Sequence, residues 1–78
     1  MRNAEVVKSF INGWGSGKGS NLYIDGDKLI NYRTVIAERR RGKILINKRH
    51  YSKTTSTHQN RLKRFSNNYE LVSASELN

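Results

Sequence analysis

The sequence predicts a small basic α+β domain, in which a three-stranded antiparallel meander lies between an N-terminal and a C-terminal helix (α-β-β-β-α). Apolar residues recur at helical spacing near both ends of the chain, and segments rich in β-branched and aromatic residues fill its middle. Seventy-eight residues are enough for one domain, residues 1–78. Because no cysteine can staple so short a chain, a homodimer is an open alternative to a monomer.

The first helix is predicted within residues 1–13. Asn3 is suited to cap its start, and Gly13 is placed to end it. The next segment, 13–20, holds four of the six glycines and is predicted to be a flexible loop. It matches neither glycine pattern for nucleotide phosphates, since Lys18 is followed by glycine and the glycines simply alternate. One face of the helix would carry Val6, Val7, Phe10, Ile11 and Trp14.

The sheet is predicted within residues 21–48. An Asp-Gly step, which is a strong hairpin signal, ends the first strand at 21–25. The second strand would be long, 28–38, with an irregularity near Arg33. A turn through three arginines and a glycine would lead into the third strand, 43–48.

The second helix is predicted at 54–72, followed by a frayed tail at 73–78. Residues 66–68, Ser-Asn-Asn, are a weak helical stretch, so an end of the helix at that point is an alternative. Hydroxyl side chains near 54–56 offer N-caps, and Ser56 and Gln59 have the spacing of a capping box. One stripe along this helix would be made by His58, Leu62, Phe65, Tyr69 and Val72.

The charge distribution is the most informative feature for function. The chain has fifteen Lys and Arg residues against six Asp and Glu, and ten of the fifteen lie between Arg39 and Arg64, where there is no acid. Nucleic acid is the commonest partner for such a run, because each Lys or Arg placed near a phosphate releases condensed counterions. A solvated basic face is the alternative. The predicted phosphate contacts are Arg39, Arg40, Arg41, Lys43, Lys48, Arg49, Lys53, Arg61, Lys63 and Arg64.

Four residues of the same run are candidates for contacts with bases: His50, Tyr51, Gln59 and Asn60. Amide and imidazole groups can hydrogen-bond to base edges, and a tyrosine ring can stack on a base. Core packing is an equally good interpretation of the tyrosine. The chain has only seven aromatic residues, which indicates no dedicated stacking platform for a single strand.

No catalytic residue, metal site or cofactor is predicted, and the protein is expected not to be an enzyme. Asp25 and Asp27 flank the hairpin glycine, where acids are favoured by turn geometry. His50 and His58 lie eight residues apart without a third ligand type, so a zinc site is not indicated. No apolar run exceeds four residues, which argues against a membrane-spanning helix and favours a cytoplasmic protein.

The segment NLYIDGDKLINYRTVIAERR, followed by a strand and then YSKTTSTHQNRLKR, resembles a family of short uncharacterised proteins from bacteriophages and related mobile elements. The resemblance covers residues 20–64 and implies a viral protein acting in the cytoplasm of a host bacterium. The architecture is also similar, more weakly, to the arm-type DNA-binding domain of phage integrases. Those domains place a three-stranded sheet in the major groove.

The expected function is therefore non-catalytic nucleic-acid binding during host takeover, with DNA favoured over RNA. The alternative is a phage counter-defence protein, such as an anti-CRISPR-like inhibitor, that docks its basic face on a host protein or nucleoprotein complex. Neither function requires a membrane or a cofactor.

Overall fold

In the computed structural model, which describes residues 1–77, six strands form one mixed sheet. Strands β1 to β5 are an antiparallel meander in chain order, and β6 pairs in parallel with β5. The α+β class is confirmed, whereas the predicted three-stranded meander is wrong. The elements are α1 (Asn3–Ile11), β1 (Ser16–Lys18), β2 (Leu22–Asp25), β3 (Lys28–Asn31), β4 (Thr34–Arg40), β5 (Lys43–Asn47), α2 (Lys53–Phe65), β6 (Tyr69–Val72) and a 3₁₀ helix (Ala74–Leu77).

The two α-helices pack on one face of the sheet and close the main core. As predicted, α1 buries Val6, Val7 and Phe10, whereas Trp14 lies beyond the helix and is 54% exposed. The 3₁₀ helix lies on the opposite face, where Leu77 forms a second, smaller cluster with buried residues of β5 and β6. The main core consists of Val6, Val7, Phe10, Leu22, Ile24, Leu29, Ile36, Ala37, Ile44, Ile46 and Leu62.

The glycine-rich segment is not simply a loop, because its middle forms β1 at the edge of the sheet. Gly19 is required by a close approach of α1. A Cβ at Gly19 would collide with the side-chain oxygen of Asn3 and would lie 3.3 Å from a methyl group of Val6. Asn3 is therefore not the helix cap. Its side chain accepts a hydrogen bond from the Ser20 N–H at 3.1 Å, and Arg2 occupies the N-cap position.

The predicted long second strand is two strands, β3 and β4, joined by a turn at Tyr32 and Arg33. Tyr32 adopts φ +57°, a conformation that favours glycine or asparagine, so its residue type gave no turn signal. The irregularity lies elsewhere. The register between β3 and β4 shifts between Leu29 and Ile30, which leaves Ile36 as the extra residue of β4.

The predicted helix 54–72 is too long, since α2 ends at Phe65. The Ser66 N–H and hydroxyl both donate to the Leu62 carbonyl, at 3.1 and 2.7 Å, and the chain then turns into β6. The expected frayed tail is ordered through Leu77, which is buried. Asn78, the last residue of that tail, lies outside the described residues.

The ends of the sheet differ in what they present. We call the end with segment 48–52 and the β3–β4 turn the loop end, and the end with the β4–β5 turn at 41–42 the turn end. Because β5 and β6 are parallel, α2 runs back from the loop end to the turn end. There the Ile44 N–H donates to the Asn68 carbonyl at 3.0 Å. Helix α2 thus connects the two ends.

Candidate nucleic-acid interface

On helix α2, the residues buried against the rest of the fold and the cations lie on different faces. It begins at Ser52, whose hydroxyl oxygen accepts from the Thr55 N–H at 3.2 Å, so the predicted caps within 54–56 are not the ones used. Lys53, Asn60 and Arg64 lie on one outward row, and Arg61 and Lys63 flank it. No Asp or Glu lies on the helix. The buried side holds Thr55, His58, Gln59 and Leu62.

A network of side chains around Asn21 fixes the inner face of α2 to the sheet. The Asn21 side-chain oxygen accepts from His58 Nε2 at 3.0 Å, from Asn3 at 3.2 Å and from Asn31 at 3.3 Å. The Thr55 hydroxyl donates to the Asn31 side-chain oxygen at 2.6 Å. These bonds hold the helix in one orientation, which keeps its outer row facing solvent.

His58 is a structural residue of this network. An amide oxygen only accepts hydrogen bonds, so the contact with Asn21 places the imidazole proton on Nε2. Nδ1 is buried and has no hydrogen-bond partner within residues 1–77. Burial, and secondarily the charge of Arg61, lowers the pKa of His58 below its ordinary value of 6.5. The ring is therefore neutral at physiological pH and carries no charge toward a ligand.

Gln59, predicted to contact bases, is buried and serves the fold. Its amide donates to the Asn47 carbonyl at 2.8 Å and to the Arg49 carbonyl at 3.0 Å. These bonds position the start of segment 48–52 against α2. Both acceptors are backbone carbonyls, which every residue type carries, so the sequence of the segment could not predict this role.

Arg39, predicted to contact a phosphate, instead joins three parts of the fold. Its guanidinium donates to the carbonyls of Phe10, Trp14 and Gly26 at 2.6, 2.9 and 2.7 Å, and it lies 3.3 Å from an Asp27 carboxylate oxygen. It also stacks over the Phe10 ring at 4.8 Å, and its side chain is only 16% exposed. Arg39 therefore leaves the set of candidate phosphate contacts.

The other predicted contacts near the β4–β5 turn lie beside acids. Arg40 pairs with Glu38 at 2.7 Å and also donates to the Glu76 carbonyl, whereas Lys43 lies 3.5 Å from Glu70. Arg41 is exposed in the turn itself. Because carboxylates are interleaved with the cations, the β4–β5 turn presents charges of both signs rather than a purely positive field.

Segment 48–52 presents cations at the loop end. Lys48, Arg49 and His50 are exposed, and His50 Nδ1 lies 3.2 Å from the Ser56 hydroxyl. The Tyr51 hydroxyl accepts from the Asn47 amide at 2.8 Å, and the Arg49 guanidinium covers its ring at 5.4 Å. One face of this tyrosine is therefore occupied in the free protein.

The structure thus divides the predicted basic surface in two: the cations of β4, β5 and their turn are interleaved with acids, and those of α2 and segment 48–52 are not. We call the second part the basic helix surface. None of its members forms a salt bridge within residues 1–77. The thirteen residues of α2 extend it over about 20 Å, at 1.5 Å per residue. Its members are Lys48, Arg49, Lys53, Arg61, Lys63 and Arg64.

No family model, curated protein or solved structure matches the chain. The resemblance to phage proteins and to arm-type domains therefore stays a prediction. Within the described residues, no group of three or more His, Cys, Asp or Glu side chains could hold a metal ion. None of the helices in that part of the chain is long and apolar enough to cross a membrane.

Proposed function

We propose that the protein is a non-catalytic nucleic-acid-binding protein of phage origin that contacts phosphates through the basic helix surface. One observation carries the proposal: six cations lie along α2 and segment 48–52 without an acidic partner among residues 1–77. By contrast, three of the four cations of β4, β5 and the turn between them lie within 3.5 Å of a carboxylate oxygen: Arg39, Arg40 and Lys43. A row of unpaired cations costs free energy through mutual repulsion, and a polyanion relieves that repulsion.

Helix stability alone does not account for this arrangement. Lys63 and Arg64 suit the negative end of the helix dipole, but Lys53 lies in the first turn, where a cation is unfavourable. Arg61 likewise has no acid three or four residues away with which to pair. The cations at the start and middle of α2 are therefore better explained by a ligand than by the fold.

The sheet is a poorer candidate for the phosphate-binding surface. Its helix-free face carries Asp25, Glu38 and Glu70, because these acids share a face with Lys28 and Leu45 in the strand register. The 3₁₀ helix covers part of the same face. We therefore place the nucleic acid on α2, unlike the arm-type domains, which use the sheet.

The first test is binding to labelled duplex DNA, single-stranded DNA and RNA. The variant Lys63→Gln/Arg64→Gln is expected to lose affinity for all three ligands, since phosphate contacts are independent of sequence. The matched control, Lys28→Gln/Arg41→Gln, removes the same charge from the sheet and its turn and is expected to bind nearly as the wild type does. Equal losses in the two variants would mean that net charge alone matters.

The counter-defence alternative predicts a different pattern. A protein inhibitor would bind all three nucleic acids weakly near physiological salt and would retain a specific host protein from a nuclease-treated lysate. Direct nucleic-acid binding predicts instead that nuclease treatment releases what the protein retains. The same Lys63→Gln/Arg64→Gln variant, used in both experiments, shows whether α2 is the contact surface.

A further inference from the structure

A cleft lies at the loop end of β1 and β2. It is lined in part by Lys18, Ser20, Asn21, Tyr23 and Tyr32 and has a volume of about 190 Å³. Clefts for drug-sized ligands and cofactors are usually larger, about 300–1,000 Å³. This cleft has room for a single ring, and a second depression of about 460 Å³ shares Lys18 and Tyr23 with it.

Two tyrosine rings border the cleft and are displayed to solvent. Tyr23 is 38% exposed and lies opposite Lys18 in the β1–β2 register, and Tyr32 is 61% exposed. The backbone at Tyr32 has φ +57°, where glycine or asparagine would be more stable. Its hydroxyl makes a long contact of 3.5 Å with the Asn21 amide. Neither turn geometry nor hydrogen bonding explains why this position carries an aromatic ring.

The floor of the cleft is held by hydrogen bonds of Asn21, which belongs to the same network as α2. The Asn21 carbonyl accepts from the Asn31 amide at 2.8 Å and from the Tyr32 N–H at 3.1 Å. The Asn21 side chain is bonded to His58, and Arg61 follows one turn later on that side of α2. Asn21 therefore joins the cleft to the buried side of α2, whereas Lys18 and Tyr23 lie on the helix-free face of the sheet in the strand register.

We propose that Tyr23 and Tyr32 form a stacking site for one unpaired base, with Lys18 near the adjoining phosphate. Aromatic faces stack on bases of any type, whereas the faces of paired bases in a duplex are already covered by their neighbours. The inference rests on the proposed function and specifies its substrate as single-stranded nucleic acid.

The test compares oligo(dT) and duplex DNA, each fluorescently labelled, on ring-deleting and ring-keeping variants. Tyr23→Ala and Tyr32→Asn are each expected to weaken oligo(dT) binding about 5- to 150-fold, which is the effect of losing one stacked base. Tyr23→Phe and Tyr32→Phe keep the rings and are expected to bind as the wild type does. Duplex affinity is expected to be unchanged in all four variants.

Tyr32→Asn guards against misfolding, because asparagine tolerates the positive φ and should leave thermal stability equal or higher. Unchanged oligo(dT) affinity in both ring-deleting variants overturns the stacking site. If Lys63→Gln/Arg64→Gln still reduces affinity in that case, the proposal that α2 binds phosphates is retained. Equal losses for duplex and single strand overturn it as well. No binding by the wild type to any nucleic acid overturns the proposed function itself and the stacking site with it, and it reassigns the exposed tyrosines to a protein partner.

Discussion

The cations of β4 and β5 and those of α2 come from one acid-free run of sequence but end in different environments. Arg39 and Arg40 find their acceptors in segments far along the chain, such as Phe10, Gly26 and Glu76. The cations of α2 project from the outer face of a helix that carries no acid, so nothing on the same element can pair with them. A run of charges in the sequence is therefore not one surface, because the fold decides which of its members already have partners.

The largest expected effect is a difference in folding stability between variants of the sheet cations and variants of the α2 cations. Arg39→Ala removes three hydrogen bonds to carbonyls, the contact with Asp27 and the stacking on Phe10, so we expect a loss of about 3 kcal/mol or more. Arg64→Ala, on the exposed face of α2, is expected to change stability by no more than about 0.5 kcal/mol. Urea unfolding of both variants measures the difference. Similar small losses would contradict the structural role of Arg39.

Two adjacent residues of α2, one buried and one exposed, are expected to differ in their contribution to stability. Gln59→Ala leaves two backbone carbonyls without their donor, and we expect it to cost about 1–3 kcal/mol. Asn60→Ala lies on the outward row, where alanine is the better helix former, and is expected to be neutral or slightly stabilising. Thermal unfolding of the pair is the measurement. If Asn60→Ala cost as much as Gln59→Ala, the assignment of the two faces would be wrong.

The buried histidine predicts how stability depends on pH. The folded-state pKa of His58 lies below 6.5, whereas the unfolded chain binds a proton near its ordinary pKa of 6.5. The contribution of neutral His58 to the free energy of unfolding is therefore fully present above about pH 6.5. It is lost as the pH falls toward the folded-state pKa, by up to about 1.4 kcal/mol per pH unit. Denaturant unfolding between about pH 7 and about pH 5 measures this slope.

His58→Gln is expected to flatten that slope, because glutamine does not titrate. The matched control is His50→Gln, which makes the same substitution at an exposed position of segment 48–52. A slope that persists in His58→Gln would assign the acid sensitivity to other groups.

The smallest expected effect has opposite signs for folding stability and for nucleic-acid affinity. Lys53 lies in the first turn of α2, where a carboxylate interacts favourably with the helix dipole. Lys53→Glu is therefore expected to stabilise the fold by about 0.3–1 kcal/mol while weakening nucleic-acid binding. Thermal unfolding and a binding titration on one preparation check both signs. A variant that is more stable and also binds more tightly would contradict the role of this end of α2.

The local patterns predicted the elements whose partners are near in sequence. The buried side of α1 followed from its apolar spacing, and the Asp-Gly step did join β2 to β3. The end of α2 was missed because Tyr69 and Val72 continue the helical spacing, although Val72 is buried by pairing β6 with β5. That pairing is long-range, and no local pattern reports it.

The candidate site was predictable in its charge but not in its boundaries. The run from Arg39 to Arg64 drew attention to α2, yet the roles of Arg39 and Gln59 depend on carbonyls that only the fold brings within reach. Asn21 was missed for the same reason, because its partners come from three other segments of the chain. The residue type shows that a side chain can form hydrogen bonds, whereas the topology of the fold decides which groups are its partners.

The salt dependence of nucleic-acid affinity tests the central claim most directly. If the six cations of the basic helix surface contact phosphates, the slope of log affinity against log salt for duplex DNA approaches about −5, at roughly −0.9 per contact. Lys63→Gln/Arg64→Gln should reduce that slope by about 2, and Lys28→Gln/Arg41→Gln should leave it unchanged. A slope near zero in the wild type, or the same reduction in both variants, would contradict the assignment of phosphate binding to α2.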